Sequence, residues 1–181
     1  LHLSIRRQRQ MCIRDRFQVE QERVPLNSNG CDKIQFLISV NPGEPAKPIA
    51  KIASGGELSR IMLAIQTVLS AHDDLDTMIF DEVDTGISGS AAQKVGLKLH
   101  EVSKYAQVIC ITHLAQIACL ADYHLLIQKQ VTNHKTYTQV IPLSKEAQTK
   151  EIARMIGGEA ITPLLLQNAQ EMIDSAKQLK A

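Results

Sequence analysis

The run Ser54-Gly55-Gly56-Glu57 has residue types that suit phosphate binding at the start of a helix. Paired glycines let an anion approach backbone N–H groups closely, and the helix dipole favours negative charge at that end. Ser54 adds a hydroxyl donor, whereas the carboxylate of Glu57 suits capping of the helix start or contact with a ribose. The run predicts an anion-binding helix start; an ordinary Gly-Gly turn with Ser54 as its N-cap is the alternative.

Two adjacent carboxylates, Asp81 and Glu82, follow the apolar run Thr77-Met78-Ile79-Phe80, which predicts a buried parallel strand. In an open α/β sheet, ligands bind beyond the carboxyl ends of the strands. Asp81 is suited to hold Mg²⁺, usually through water. Glu82 is suited to orient and deprotonate an attacking water. The alternative for both is an acidic N-cap on the next helix.

Thr112-His113 follows a second apolar run, residues 107 to 111, in the same way. A βαβ unit over residues 77 to 111 would make the two strands parallel and place His113 near Asp81 at one sheet edge. An imidazole donor there would contact a γ-phosphate and stabilise charge in the transition state. A solvent-facing histidine in a strand-to-helix loop is the alternative.

A third carboxylate, Asp84, lies two residues beyond Glu82. Three carboxylates within four residues repel one another unless they serve a cation or a partner. Asp84 is therefore a candidate for reaching across an interface, with simple solvation as the alternative.

The order of these groups is more specific than any one of them. Asp81 lies 24 residues after Glu57, and His113 lies 32 residues after Asp81. Together they are the parts needed to hold a nucleoside triphosphate and attack its last phosphate. The phosphate loop G-x-x-x-x-G-K-[ST] occurs nowhere in the 181 residues. The chain is therefore expected to be half of an ATPase.

The spacing of apolar residues predicts the elements that position these groups. Period-two alternation predicts strands over residues 17 to 24 and 34 to 40, separated by the turn cluster Asn27-Ser28-Asn29-Gly30. Residues 123 to 128 and 136 to 141 predict a hairpin. Helical spacing predicts helices over residues 58 to 69, 92 to 102, 114 to 120, 145 to 156 and 162 to 176.

Composition indicates a globular protein with an aliphatic core. Hydrophobic residues make up 44% of the chain and aromatic residues 3%, and tryptophan is absent. No apolar run approaches the roughly 18 residues of a membrane span, and no secretory signal is visible. The four cysteines form no C-x-x-C pair, which favours reduced thiols over a metal site or a disulfide framework.

Residues 1 to 16 differ from the rest of the chain. They hold five arginines against Asp15, a net charge of +4, whereas the remaining residues carry a net charge of −3. The body of the chain therefore shows no basic footprint for nucleic acid. The first sixteen residues are interpreted as a non-native or disordered segment, with a basic arm that grips DNA as the alternative. The domain is expected over residues 17 to 181.

Five runs resemble the bacterial RecN family, an SMC-like branch of the ABC-type ATPases. The runs are Asn41-Pro42-Gly43-Glu44, Ile52-Ala53-Ser54-Gly55-Gly56-Glu57-Leu58-Ser59-Arg60, Phe80-Asp81-Glu82-Val83-Asp84-Thr85-Gly86-Ile87-Ser88-Gly89, Thr112-His113-Leu114-Ala115-Gln116-Ile117-Ala118 and Glu151-Ile152-Ala153-Arg154-Met155-Ile156-Gly157-Gly158. Val83-Asp84 follow Glu82 where a transporter ATPase typically has proline. Two positions depart from expectation, since Ala115 replaces a proline and Glu57 replaces the glutamine of transporter motifs.

The resemblance implies a fold and a set of partners. The fold is α/β, the C-terminal half of a P-loop ATPase head of the ABC/SMC type. It is expected to have a mostly parallel sheet, flanking helices, and a terminal β-hairpin followed by helices. The implied partners are the protein's own N-terminal half with the Walker A loop, a second head in an ATP-sandwiched homodimer, and DNA, but no membrane. The implied location is the bacterial cytoplasm, at the nucleoid, and the implied process is double-strand break repair and recombination.

The resemblance also implies a role for each candidate residue. Two heads sandwich two ATP molecules, so Ser54, Gly55 and Gly56 of one head contact the ATP bound to the other. The remaining roles follow in one list: Glu57 at the cofactor site, Asp81 for Mg²⁺, Glu82 as the catalytic base, His113 on the γ-phosphate, and Asp84 for communication across the dimer.

Two rival interpretations come from other classes of protein. A non-catalytic dimerisation or scaffold module would reuse the fold, but it would have no need of the base Glu82 or of His113. An ABC transporter ATPase fragment is disfavoured by Val83-Asp84 in place of proline. The interpretation as the C-terminal half of a RecN-like ATPase head predicts no ATPase activity from this chain alone, because the cradle for the β- and γ-phosphates is missing.

Overall fold

The computed structural model describes residues 16–39, 45–51, 54–72, 75–132 and 135–180. The chain divides into two compact units, residues 1–54 and 55–181, which are described separately below. The predictions for residues 1 to 15, Asn41-Pro42-Gly43-Glu44 and Ile52-Ala53 lie outside the described residues.

The first unit contains a three-stranded antiparallel sheet. Its strands are β1 (Arg16–Asn27), β2 (Gly30–Ser39) and β3 (Lys47–Pro48), in the order β1-β2-β3. A 3-10 turn, Ile49–Lys51, follows. The two predicted strands are confirmed, and each is longer than its alternating stretch.

The turn between β1 and β2 forms where the sequence predicts it. The N–H of Asn29 donates to Asn27 Oδ1 at 2.8 Å, and Gly30 has a φ of +103°, in the region that favours glycine. Further along the pair, Phe17 and Phe36 stack with their ring centroids 5.8 Å apart. A short turn and a cross-strand aromatic pair together stabilise the register of this hairpin.

The second unit holds the remaining elements. In chain order they are α1 (Gly55–Leu69), β4 (Thr77–Phe80), α2 (Gly89–Ser103), β5 (Gln107–Cys110), α3 (Ala115–Ala118), β6 (Leu125–Thr132), β7 (Lys135–Pro142), α4 (Lys145–Gly157) and α5 (Pro163–Lys180). All the predicted helices and the predicted hairpin are present. None of the helices in the described part of the chain has the length and apolar character needed to cross a membrane.

Strands β4 and β5 form the predicted parallel pair, with Thr77 opposite Gln107 and Phe80 opposite Cys110. Helix α2 is the crossover between them, so the βαβ unit is confirmed and with it the α/β class. The parallel pair β4-β5 and the hairpin β6-β7 are both expected from the sequence, and within the described residues β1-β2-β3 adds an antiparallel sheet. Strands joined by a tight turn, such as β1 and β2, pair in the antiparallel sense.

Strand β4 is buried on one face rather than on both. Met78 and Phe80 are buried, whereas Ile79 on the opposite face is 68% exposed. The buried face packs with Leu63 of α1 and Leu99 of α2. The sequence prediction of a fully buried strand is therefore corrected to a half-buried one.

Two apolar clusters form the core of the second unit. The first joins α1, β4, α2 and α3 through Leu63, Met78, Phe80, Val83, Ala92, Leu99, Val102 and Ile117. The second joins α3, α4 and α5 through Ala115, Ile152, Ala153 and Ala169. Because α3 contributes to both clusters, it connects the βαβ unit to the two C-terminal helices.

The two C-terminal helices have defined ends. Ser144 caps α4 by accepting the N–H of Ala147 at 3.3 Å, and Gly158, at a φ of +81°, follows its last residue. Thr162 Oγ1 accepts the N–H of Leu165 at 3.2 Å, immediately before Pro163 opens α5. The Gly-Gly pair at the end of α4 and the Thr-Pro pair at the start of α5 thus lie where glycine and proline favour helix ends.

Candidate functional site

Helix α1 begins with the two glycines of the Ser-Gly-Gly-Glu run, and Gly56 is buried. A Cβ on Gly56 would lie 2.9 Å from both the Cβ and the carbonyl oxygen of Thr85, and 3.0 Å from the carbonyl oxygen of Glu82. Glycine is therefore required for the helix start to pack this closely on the loop after β4. Ser54, directly before α1, and Glu57, in its first turn, are both half-buried.

The carboxylate of Glu82 lies against the first residue of α1, because a Cβ on Gly55 would overlap Glu82 Oε2. Two motifs that are well separated along the chain thus meet in the folded protein. Glu82 itself has a φ of +58°, the left-handed region that non-glycine residues rarely adopt. Such a backbone costs about 1 kcal/mol or more, and it is commonly found at functional sites.

Asp81 marks the carboxyl end of β4 and is exposed. Its Oδ1 accepts the backbone N–H of Glu82 at 2.8 Å, and its carbonyl oxygen accepts the hydroxyl of Ser59 at 2.8 Å. Within the described residues its Oδ2 accepts no hydrogen bond. Asp81 therefore presents one carboxylate oxygen at the sheet edge where a cation is predicted.

Arg60 links α1 to the same loop through two hydrogen bonds. Its Nη1 donates to the carbonyl oxygens of Val83 at 3.2 Å and Thr85 at 2.7 Å. The N–H of Thr85 in turn donates to the carbonyl oxygen of Glu82 at 3.0 Å. The loop that carries the candidate base is thus held by its own turn and by a side chain from α1.

Asp84 is the buried member of the acidic group, with a side chain only 5% exposed. Its Oδ2 accepts the hydroxyl of Thr112 at 2.6 Å and the backbone N–H of His113 at 2.9 Å. His113 Nδ1 lies 3.0 Å from the same oxygen. Asp84 therefore joins the loop after β4 to the end of β5; its predicted contact across an interface stays a prediction.

The environment of Asp84 favours its charged form. Burial acts to raise the pKa of this carboxyl group. The hydrogen bond from Thr112, the backbone N–H of His113 and the charge of the His113 imidazole oppose burial, and together they hold the pKa below its ordinary value. Asp84 is consequently an ionised anchor for the residues that follow β5.

His113 lies at the predicted sheet edge, but its partner is Asp84 rather than Asp81. Its side chain is 75% exposed, although Nδ1 is held by Asp84. The other ring nitrogen, Nε2, makes no hydrogen bond to any described residue. Because Nδ1–H donates to the Asp84 carboxylate, the exposed Nε2 accepts a hydrogen bond in the neutral imidazole and donates one to a ligand in the imidazolium form.

The carboxylates make this edge electrically negative. Burial, followed by the charges of Asp84 and Asp81, raises the pKa of the neighbouring Cys110 thiol to about 12. A field that opposes ionisation of a thiol would favour a bound cation. The described residues form no cluster of three or more protein ligands for a metal. This donor set fits Mg²⁺, which commonly takes one or two carboxylates and completes its shell with water and substrate phosphates.

Sequence reasoning missed the parts played by Ser59, Arg60 and Thr112. Ser59 and Arg60 belong to the run that opens α1, yet their spacing alone does not reveal which carbonyl oxygens they reach. Thr112 was treated only as the neighbour of His113. The available signal was the presence of polar donors directly beside both motifs, where each can reach the loop after β4.

Comparison with known proteins gives consistent sequence and structural similarity. No family model matches the chain. It is 49% identical over 162 residues to the DNA repair protein RecN of Bacillus subtilis (strain 168), a match that covers 90% of this chain and 28% of the relative. It is 46% identical over 164 residues to RecN of Treponema pallidum (strain Nichols), covering 91% of this chain and 28% of the relative. The chain thus spans less than a third of the length of these curated relatives.

Among solved structures, the Smc head domain with a coiled coil and joint from Pyrococcus yayanosii is similar in fold. The TM-score is 0.54 at 22% sequence identity, and the match covers 76% of this chain and 25% of that chain. The fold of this chain is therefore that of part of an SMC-type head, in agreement with the sequence prediction.

Proposed function

Since the chain corresponds in sequence to the C-terminal portion of RecN-type DNA repair proteins, we propose that it is the C-terminal half of an ATP-hydrolysing head. In this proposal it acts in double-strand break repair and recombination, in the bacterial cytoplasm at the nucleoid. The relatives' name supports the link to DNA repair, and DNA is proposed as a partner on that basis alone.

One observation carries the ATPase proposal. Residues from three separate motifs converge on the loop after β4, where Glu82 contacts Gly55 and Asp84 holds Thr112 and His113. Glu82 also adopts a left-handed backbone, which has a structural cost. A protein that used the fold only as a scaffold would gain nothing from backbone strain at an exposed carboxylate.

Each residue of this group is assigned one step. Glu82 accepts a proton from the attacking water, and its exposed position at the sheet edge leaves room for that water. As the imidazolium, His113 donates a hydrogen bond from Nε2 to the γ-phosphate while its Nδ1–H donates to Asp84. Asp81 would hold Mg²⁺, which neutralises charge on the phosphate oxygens when bound.

The exposed face of the parallel pair supports a missing half as the partner. Ile79 and Ile109 are opposite each other across β4 and β5 and are 68% and 41% exposed. Parallel sheets are ordinarily covered on both faces, and adjacent exposed isoleucines mark a surface that is covered in the complete structure. We assign this face to the N-terminal half that carries the phosphate loop.

The start of α1 is assigned to a nucleotide on a second head. In this assignment Ser54, Gly55 and Gly56 contact ATP held by the other head, and Glu57 lies beside its ribose. The close packing of Gly55 and Gly56 on the catalytic loop brings this surface next to Glu82. In a homodimer with two sandwiched ATP molecules, the start of α1 and the Glu82 loop of each head would both contact a nucleotide.

The test is ATP hydrolysis after mixing the chain, from Phe17 onward, with a separately produced phosphate-loop half of a RecN protein. We expect no hydrolysis from either half alone, and Mg²⁺-dependent hydrolysis from the mixture. Glu82→Gln should reduce the rate by about 10²- to 10⁴-fold, the usual contribution of a general base. Glu171→Gln, at an exposed position on α5, is the matched control and should leave the rate unchanged.

The outcomes separate the candidate functions. Hydrolysis that requires both halves and Glu82 supports the split ATPase head. A complex that binds ATP but does not hydrolyse it would contradict the catalytic assignment and favour a non-catalytic dimerisation module.

A further inference from the structure

We infer that Arg60 is a positioning residue that couples the phosphate-binding start of α1 to the catalytic loop, residues 81–85, so that nucleotide bound at one surface controls the base at the other. This inference rests on the proposed ATPase function. It adds a residue and a regulatory link that the sequence motifs do not supply.

The hydrogen bonds of Arg60 are the first support. One nitrogen, Nη1, reaches the carbonyl oxygens of both Val83 and Thr85, at 3.2 and 2.7 Å. Hydrogen bonds from a charged donor are stronger than those from a neutral one. The two protons of this one NH2 group can serve both carbonyl oxygens, whereas a lysine side chain is shorter and carries its donors on a compact ammonium.

The contacts around Arg60 join α1 to the loop at several points. Ser59 donates its hydroxyl to the carbonyl oxygen of Asp81 at 2.8 Å, one residue before the base. Gly56 packs against Thr85 so closely that a Cβ would not fit without movement. The first two turns of α1 therefore contact the loop at its beginning, at Asp81, and at its end, at Thr85.

The left-handed backbone of Glu82 depends on these contacts between α1 and the loop. Its carbonyl oxygen accepts the N–H of Thr85 at 3.0 Å, and the carbonyl oxygen of Thr85 accepts Arg60. Arg60 thus acts on Glu82 through Thr85 without touching the reacting atoms. Strain of this kind persists only where surrounding contacts over-determine it.

The consequence is communication between two nucleotides. A phosphate at Gly55 and Gly56 belongs to the partner head's ATP, whereas Glu82 acts on the ATP of its own head. If α1 shifts when it binds the partner's nucleotide, Arg60 carries that shift to Glu82. Hydrolysis at the two sites is then coupled, which appears as cooperative dependence on ATP concentration.

The experiment compares Arg60→Met and Arg60→Lys with the unaltered chain in the mixture of both halves. Arg60→Met should lower kcat by roughly tenfold or more, because small displacements of a catalytic group have large effects on rate. KM should change by less than about twofold, since phosphate is bound elsewhere. The Hill coefficient should fall toward about 1 in Arg60→Met. In Arg60→Lys, kcat and the Hill coefficient should fall less than in Arg60→Met.

A second readout does not depend on activity. Amide hydrogen exchange at Thr85 and Ile87, whose N–H groups close the turns of this loop, should accelerate roughly fivefold in Arg60→Met, the effect of about 1 kcal/mol of lost hydrogen bonding. Arg154→Met is the matched control, because Arg154 pairs with Glu151 on α4 and should leave exchange in residues 81–87 unchanged.

The outcomes distinguish this inference from the proposed function. If the unaltered mixture hydrolyses ATP and requires Glu82, but Arg60→Met keeps its kcat and its cooperativity, the inference is wrong and the ATPase proposal stands. Unchanged exchange at Thr85 in folded Arg60→Met would also overturn it. If the unaltered mixture shows no hydrolysis, the ATPase proposal fails and the coupling fails with it.

Discussion

A single carboxylate, Asp84, determines how the ends of two strands are joined. It is buried, it is ionised, and its Oδ2 takes hydrogen bonds from Thr112 and from the backbone of His113. A buried charge is tolerated only when such donors replace water. Asp84, which the sequence predicts to contact a partner across an interface, thus also has hydrogen bonds within its own chain.

Replacement of Asp84 by asparagine tests this internal role. An amide is neutral, so the hydrogen bonds that Thr112 and His113 donate to Oδ2 lose their charge assistance, and the amide group brings two donors into a buried site. We expect Asp84→Asn to lower the free energy of unfolding by about 1–3 kcal/mol at neutral pH. Chemical denaturation followed by circular dichroism measures it, with Asp32→Asn on exposed β2 as the control.

The same substitution gives a pH dependence with a fixed sign. Because the folded-state pKa of Asp84 lies below its ordinary value, its contribution to stability is fully present above about pH 4, the ordinary pKa of aspartate. That contribution is lost as the pH falls through the lower folded-state pKa. The difference between the unaltered chain and Asp84→Asn should therefore shrink in acid; a difference that stayed constant would contradict the anchor role.

At the scale of elements, helix α4 contains two isoleucines of the same sequence run that differ in burial. Ile152 is fully buried among α3, α4 and α5, whereas Ile156, one turn later, is 40% exposed. Both belong to the run Glu151–Gly158 that carried the family resemblance. Motif membership alone thus does not separate a core residue from a surface residue.

These two isoleucines form a matched pair for a stability measurement. Ile152→Ala should lower the free energy of unfolding by about 2–5 kcal/mol, because the cavity adds to the lost transfer free energy. Ile156→Ala, in the same helix with the same change of side chain, should have an effect smaller than about 1.5 kcal/mol, in proportion to its lesser burial. Equal losses in thermal or urea unfolding would mean that the α4–α5 packing described here is wrong.

At the scale of the whole molecule, the two compact units differ in what they contain. Both apolar core clusters belong to residues 55–181, as do the catalytic loop, Arg60 and the end of β5. The first unit contributes Ser54 and the antiparallel sheet. The second unit therefore holds the packing that an independently folding domain requires.

A fragment over residues 55–181 should accordingly fold by itself. We expect helical circular dichroism and a single cooperative urea transition, because a domain with its own core unfolds as one unit. Ile152→Ala in the fragment serves as the control and should shift the transition to lower urea. A gradual, non-cooperative loss of signal in the unaltered fragment would contradict this division.

The sequence by itself determined the local structure and the family. Helical spacing located helices α1 to α5, and apolar alternation located the strands of the first hairpin. The apolar runs before Asp81 and Thr112 predicted the parallel pair. These features follow from the periodicity of neighbouring residues, which depends little on the rest of the fold. The motifs and their order likewise predicted the similarity to RecN.

Only the tertiary structure decided which side chains meet. Arg60 reaches Val83 and Thr85, and Asp84 reaches Thr112 and His113, across separations of 23 to 29 residues. It also decided that β4 is buried on one face, because the helices of the described chain pack against Met78 and Phe80 alone. Such contacts depend on the position and angle at which the helices pack on the sheet. The spacing of residues along the chain does not specify that packing.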